Sequence, residues 1–504
     1  MTTITDEPRR YGNLRRPGSR GVLGFGWGAS IIGFCGLIVT LIGTVTGGLE
    51  TGLVLFAAVL VAIIPTRRSS KDGRTGYDRW GKRLLNRSNR KAGRHLLVQG
   101  PAGFTPDGKL RLPGLLAATE LRTLTDPYGS PFGAVIQPHT GHWTIVMECH
   151  GTGMDLVDPQ THDREVAHWG QFLAVMGEMP DVDQVQAVVE TAPDTGVRLQ
   201  NQVLTSRSDA SPTFARHVMD EVVDAFPAGE FTIRTYVSVT FNSTVVDPTT
   251  GRARRLSEVE MQQRISNAVP TILTSLRLAG AGETAHLMGS VDIADMVRVA
   301  FDPSVATTVD EARREGGTEL RWDEVGPVRL EPYDDRVRHD RAWSASWQML
   351  EPPAGVFSST QLRDLLRPHP DVMRKRVCLV YRPHNQEDKV RVVEQDINSS
   401  TFQVSAKNRV TARQEREISA ARQAATEESN GAGVTRFGII VTLTVAHADD
   451  LGRAESALMQ MKASARLRLR PALGNQEVAL TSGLPLGLVL PKLMRLSESV
   501  REYL

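Results

Sequence analysis

At 504 residues the chain is too long for one compact core and is expected to fold as two to four units. With 40% hydrophobic and 23% charged residues it has a globular composition, which argues against disorder, and three widely spaced cysteines (Cys35, Cys149, Cys378) exclude a disulfide framework and favour a reducing compartment for the soluble part. The net charge of +2 hides an asymmetry: the first 94 residues hold 16 of the 59 Lys and Arg but only 5 of the 57 Asp and Glu.

Residues 1–21 form a basic terminus with Arg9, Arg10, Arg15, Arg16 and Arg20. Val22–Val45 then runs 24 residues without a charge, about 36 Å as helix and enough to cross a bilayer. Its glycines would weaken a soluble helix, but in lipid they permit close packing, and Gly24 and Gly28 make a GxxxG pair. A second apolar run, Leu53–Ile64, reaches a workable span when extended back through Thr51, and TGGLET lies between the two runs. A two-helix transmembrane hairpin over 22–66 is therefore expected in the cell (inner) membrane. Arginines outside both runs place both termini in the cytoplasm by the positive-inside rule. The first run is too long, and too closely followed by the second, for a signal peptide.

The juxtamembrane segment 67–109 opens with Arg67, Arg68, Lys71 and Arg74. Tyr77, Trp80, Leu84 and Leu85 then recur at helical spacing among Lys82, Arg83 and Arg87. A basic amphipathic helix with an aromatic anchor suits an anionic inner leaflet. Phosphate contacts to nucleic acid are the alternative, but the position beside a membrane span favours lipid.

The remainder reads as α+β: a first module over 110–300, a polar linker at 301–340 and a second module over 341–504. Phe132–Gln137 and His142–Cys149 pair as strands across PHTG, with Trp143, Ile145, Met147 and Cys149 on one face. Val166, Trp169, Phe172, Leu173 and Met176 form a helical stripe, and Val185, Ala187 and Val189 alternate as a strand. A helix over 212–226 precedes a strand whose one face carries Val237, Val239 and Phe241. Ser257 and Glu260 suggest a capping box on a helix that Pro270 should kink. The second half repeats this rhythm. Strands are expected at Ala342–Met349, Arg376–Arg382, Arg436–Val445, Leu467–Arg470 and Glu477–Leu480. Helices are expected from about 387 or later to 429, with Val390–Val393 being strand in the alternative reading, and at Ala448–Ala463.

No constellation of residues carries chemistry. Gly103 to Lys109 matches GxxxxGK, but Leu110 stands where a P-loop needs Ser or Thr for Mg²⁺, and Pro106-Asp107-Gly108 is a turn signal. His139 and His142 give HxxH in a hairpin turn without a second ligand cluster. The expectation is no catalytic, metal-binding or cofactor-binding residue, and no enzyme.

Tyr11–Gly28 (YGNLRRPGSRG…FGWG), Ala167–Ala174 (AHWGQFLA), Val188–Asp194 (VVETAPD), Trp322–Pro327 (WDEVGP) and Val380–Pro383 (VYRP) carry, in this order, a resemblance over nearly the whole chain. The chain resembles a family of actinobacterial membrane proteins of conjugation-like type IV secretion clusters. Their hairpin is similar to the PrgI-like subunit, and their soluble part to the N-terminal, non-ATPase region of the conjugation ATPase. The resemblance implies a scaffold that docks a separately encoded P-loop ATPase, meets other secretion-channel subunits and anionic lipid, and forms a homo-oligomer by analogy with ring-shaped machines. The alternatives are a type VII secretion subunit of the EccE type and a membrane-anchored nucleic-acid-binding protein.

Overall fold

The structure is a computed structural model. It describes residues 27–66, 75–383 and 435–493, apart from loop positions 94, 102, 104–106, 152, 154–156, 197–202, 204–205, 209, 226–230, 247–251, 352–357 and 359. The helix expected at 387–429 lies outside the described residues.

The chain opens with α1 (Trp27–Ile63), followed by α2 (Gly76–Lys91) and β1 (Leu97–Val98). Strands β2 (Glu120–Thr125), β3 (Pro131–Gln137) and β4 (His142–Cys149) lead to α3 (Pro159–Glu178), then β5 (Val182–Pro193), α4 (Thr213–Ala225) and β6 (Phe231–Asn242). The small pair β7 (Thr244–Val246) and β8 (Ala253–Arg255) precedes α5 (Glu258–Leu276), β9 (His286–Leu287), α6 (Ser290–Phe301) and α7 (Ala306–Glu315). The second half holds β10 (Arg329–Pro332), β11 (Val337–His339), β12 (Ala342–Glu351), α8 (Arg363–Leu366), β13 (Arg374–Pro383), β14 (Thr435–Val445), α9 (Leu451–Ser464), β15 (Arg468–Pro471), α10 (Gln476–Ser482) and α11 (Leu490–Leu493).

The fold is a mixed α+β arrangement built on one antiparallel sheet of 13 strands, ordered β1-β10-β11-β12-β14-β13-β5-β6-β4-β3-β2, with β15 added on β12 and β9 on β4. The two halves of this order mirror each other. β2-β3-β4-β6-β5 corresponds to β10-β11-β12-β14-β13, and β9 on β4 corresponds to β15 on β12. Each half therefore shares the order β-β-β-α-β-β-α-β-α, to which the first half adds α4 after β5 and the β7-β8 pair after β6, and a pseudo-twofold passes between β5 and β13, near the pairing of Val188 with Cys378. Small details repeat as well. Thr144 and Thr240 pair their hydroxyls at 3.1 Å across β4 and β6, as Ser346 and Thr442 do at 2.9 Å across β12 and β14.

Both faces of the sheet are covered, which is why its central strands bury apolar residues on both sides. One face buries Trp143, Ile145 and Met147 with Val237, Val239 and Phe241 beneath α3 and α5, and Val441 and Leu443 beneath α9. The other face buries Val146, Val188 and Cys378 beneath α6 and α10. The capping box forms: Glu260 N donates to Ser257 Oγ, and Ser257 N to Glu260 Oε2. The helix then continues through Pro270.

Two expectations are corrected. Residues 301–340 are more than a connector: they contain α7, β10 and β11, whose Leu330 and Val337 enter the core. Glu477–Leu480 lies within helix α10, where Leu480 is buried and Gln476 pairs through its amide with the Ser346 backbone.

Candidate membrane interface

Within α1 and the turn after it, Ile31–Thr66 is long and apolar enough to cross a membrane, and almost none of it is buried by the rest of the chain. The helix is interrupted at Gly48 (φ 81°, ψ 178°), a conformation that glycine adopts without strain. Residues on the two sides of Gly48 face each other. Gly36 lies against Val59, Gly43 against Leu55 and Gly52 against Thr44, so tightly that a methyl group at any of these glycines would clash. Thr51 Oγ1 also donates to Gly43 O at 3.0 Å.

Helix α2 joins this segment to the sheet. Gly76 sits against Pro65, and the Tyr77 hydroxyl donates to Ala62 O at 2.9 Å. Lys82, Asn86 and Arg90 are spaced one turn apart and form one stripe. Lys82 packs on Gly474, Asn86 Nδ2 donates to Asp334 Oδ1 at 3.3 Å, and the Arg90 guanidinium lies 4.8 Å from the Tyr333 ring centre. The opposite stripe, with Tyr77, Trp80 and Leu84, is exposed, Trp80 by 65%. Arg83 and Arg87 are exposed and make no ion pair among the described residues.

The sequence-derived site residues therefore divide. Trp80, Arg83 and Arg87 occupy the free side of α2, whereas Lys82 turns toward the soluble region. Gly28 lies in α1, and Gly24, Arg67, Arg68, Lys71 and Arg74 lie outside the described residues. In the near-P-loop, Gly108 has φ 66°, Lys109 pairs with Asp323 at 2.5 Å, and no α-helix follows: the backbone is irregular up to a short 3-10 turn at Gly114–Leu116. His142 starts β4, buried, with Nδ1 at 2.7 Å from Thr140 Oγ1 and Nε2 at 3.0 Å from Asp183 Oδ2. Burial opposes ionisation of Asp183, but the His142 hydrogen bond and the Lys492 charge outweigh it and hold its pKa low.

Sequence reading missed a buried ionic network on the seam. Arg376 donates twice to Glu190 Oε2, at 2.5 and 2.8 Å, and Arg374 donates to Oε1 at 2.8 Å. Burial alone would raise the Glu190 pKa, yet the two guanidinium groups pull it down to about 2. The adjoining cavity of about 30 Å³, lined by Glu148, Arg234, Asp295 and Asp310 among others, has room for about one water and is far below the several hundred cubic ångströms of small-molecule sites. The network fastens one half of the sheet to the other. Its signal in the sequence was a lone acid, Glu190, inside the apolar run of VVETAPD.

A family model described as a domain of unknown function (DUF8461) matches residues 18–78, which cover the apolar helix and the start of α2. No curated protein matches the chain.

Proposed function

We propose that the chain is an inner-membrane structural subunit of a conjugation or type IV secretion-like apparatus. Residues 27–66 cross the bilayer twice, and the sheet holds a separately encoded P-loop ATPase at the cytoplasmic face. The 37 residues of α1 would reach about 55 Å as one helix, against a hydrocarbon core of about 30 Å. Two limbs meeting at Gly48, with Gly36 on Val59 and Gly43 on Leu55, fit that thickness. Basic residues on the outer side of each limb keep both ends in the cytoplasm.

The observation that carries the reading is α2. One stripe of this helix grips the Tyr333–Asp334 turn, and the opposite stripe continues the apolar surface of the membrane segment. A wide sheet is thereby held at a fixed place against the bilayer, as a docking platform requires. The Trp80–Leu84 stripe flanked by Arg83 and Arg87 suits an anionic lipid surface, whose acyl chains receive the apolar side chains and whose headgroups receive the arginines, and its place beside the membrane segment favours lipid over nucleic acid.

Tagging the C-terminus, extracting native membranes in mild detergent and identifying the partners by mass spectrometry tests this reading. Stoichiometric recovery of a P-loop ATPase supports it. Recovery of the chain alone, in a complex that survives in the membrane, counts against it. Recovery with WXG-type secretion substrates would favour a type VII apparatus instead.

A further inference from the structure

We propose that β2 is a dimerisation edge, which pairs antiparallel with β2 of a second copy of this chain about a twofold axis at Leu121. The proposal does not depend on the secretion reading.

The pseudo-twofold of the sheet shows what this edge is built to receive. In the second half, the outer edge of β10 is covered by β1, with Leu97 opposite Leu330 and Val98 opposite Arg329. β2 holds the equivalent place in the first half, and among the described residues no strand lies outside it. An open edge of six residues without proline or bulge is a template for strand addition.

The hydrogen bonding restricts the register. Asp126 N donates to Ser130 O at 2.9 Å, closing the β2–β3 hairpin. By the alternation of an antiparallel pair, Glu120, Arg122 and Leu124 then turn their backbone groups toward β3, and Leu121 and Thr123 turn theirs outward. The outward stretch is bounded at both ends: Thr119 O accepts from Trp322 Nε1 at 3.0 Å, and Thr125 O from Ser266 Oγ at 2.5 Å.

Charge selects among the remaining registers. Glu120 and Arg122 are exposed, and an antiparallel strand that complements them reads acid-x-base from its N-terminus. Glu120-Leu121-Arg122 is itself that sequence. With Leu121 on the axis, Leu121 meets its own copy through outward backbone groups, and Glu120 of each chain faces Arg122 of the other. Shifting the axis to Arg122 would set the two arginines against each other.

An exposed aromatic and an open cavity lie beyond opposite ends of β2. Tyr128 is 85% exposed at the hairpin tip, on a turn fixed by Asp126 Oδ1, which accepts from Tyr128 N at 2.9 Å and Ser130 N at 2.7 Å. At the other end of β2 an open cavity of about 300 Å³ is lined by Leu112, Leu116, Ala117, Ala118 and Trp322 together with the charged Lys109, Arg111, Glu120 and Asp323. Tyr128 follows the C-terminal end of β2, and Leu116, Ala117 and Ala118, in the helical turn before Glu120, precede its N-terminal end. In the self-paired antiparallel register, the hairpin tip with Tyr128 of each copy lies on the side of the other copy's cavity.

The test uses the full chain in native membranes, with Cys35→Ser to remove the exposed native thiol. Leu121→Cys is treated with a short bis-maleimide, and a cross-linked product of twice the chain mass is expected. Adding Glu120→Arg should cut its yield at least fivefold, and Glu120→Arg with Arg122→Glu should restore at least half of the parent yield. Unchanged melting temperatures confirm that the variants fold. The proposal is overturned if Leu121→Cys gives no such product, if it links to a different protein instead, or if the yield ignores both charge changes.

Discussion

Lys375 is an unusual residue to find in a core, and it gives the sharpest stability prediction. It lies on β13, 1% exposed, with its ammonium donating to Arg367 O and lying 3.4 Å from Met461 Sδ. Burial lowers its pKa from 10.5 to about 8. That shift corresponds to a cost of about 3 kcal/mol for carrying the charge in the folded state at neutral pH. The folded pKa lies below the unfolded one, so between about pH 8 and 10.5 the unfolded chain binds the extra proton and stability rises with pH. Below about pH 8 both states are protonated and the penalty is present in full. Lys375→Met keeps an unbranched chain beside Met461 and removes the charge, at the loss of one hydrogen bond to Arg367 O. The variant should be more stable by about 1–3 kcal/mol at pH 7. Thermal unfolding of the full chain in detergent, followed by circular dichroism from pH 7 to 10.5, measures this. The advantage should shrink toward pH 10.5. A variant that is destabilised at pH 7, or whose advantage does not change with pH, would refute the reasoning.

Arg298 bridges α6 to the second half, meeting Asp302 and Asp340 at 3.2 Å each and donating to Gly326 O at 2.6 Å. Arg298→Ala should cost about 3–5 kcal/mol by stranding two buried carboxylates, read from the chemical-denaturation midpoint. His339 is fully buried, with Nδ1 donating to Phe301 O and Nε2 accepting from Ser344 Oγ, and burial pushes its pKa down to about 4. The unfolded chain therefore takes up that proton first, and stability should fall as pH drops from about 6.5 to 4, with a shallower fall in His339→Gln. Gly487 has φ 70°, and a Cβ there would strike the hydroxyls of Thr144 and Thr240, so Gly487→Ala should destabilise by about 2 kcal/mol or more in the same denaturation assay. Reversing Arg83 and Arg87 to Glu in a peptide spanning α2, Gly76–Lys91, should weaken its binding to vesicles containing phosphatidylserine by more than tenfold, at about 1 kcal/mol for each lost cation, as read by co-flotation.

Much of the local structure was legible. Trp143, Ile145 and Met147 alternate because they share the β4 face that packs beneath α3 and α5, and Ser257 with Glu260 marks the start of α5 through hydrogen bonds that neighbouring residues alone can make. The uncharged run before Gly48 was legible for the same local reason. The joining of the halves was not, because Glu190 and Arg376 meet from positions far apart in sequence and no periodicity encodes a partner. β10 and β11 were missed because they lie near the sheet's far edge, where Arg329, Glu331, Arg336 and Arg338 fill the side away from the core. Glu477–Leu480 is too short for its pattern to separate a strand from a helix. On α2 the sequence showed basic and apolar residues together. The division into a gripping stripe at Lys82, Asn86 and Arg90 and a free stripe at Trp80 and Leu84 needed the position of the Tyr333–Asp334 turn.

The proposed role stands on two membrane crossings with both flanks on the cytoplasmic side. In a Cys35→Ser background, Glu50→Cys and Arg87→Cys are each exposed to a membrane-impermeant maleimide, first in intact cells and then after permeabilisation. Two crossings predict that Glu50→Cys, beside the Gly48 bend, labels in intact cells and that Arg87→Cys labels only after permeabilisation. Labelling of Arg87→Cys in intact cells, or protection of Glu50→Cys until the membrane is opened, would contradict it.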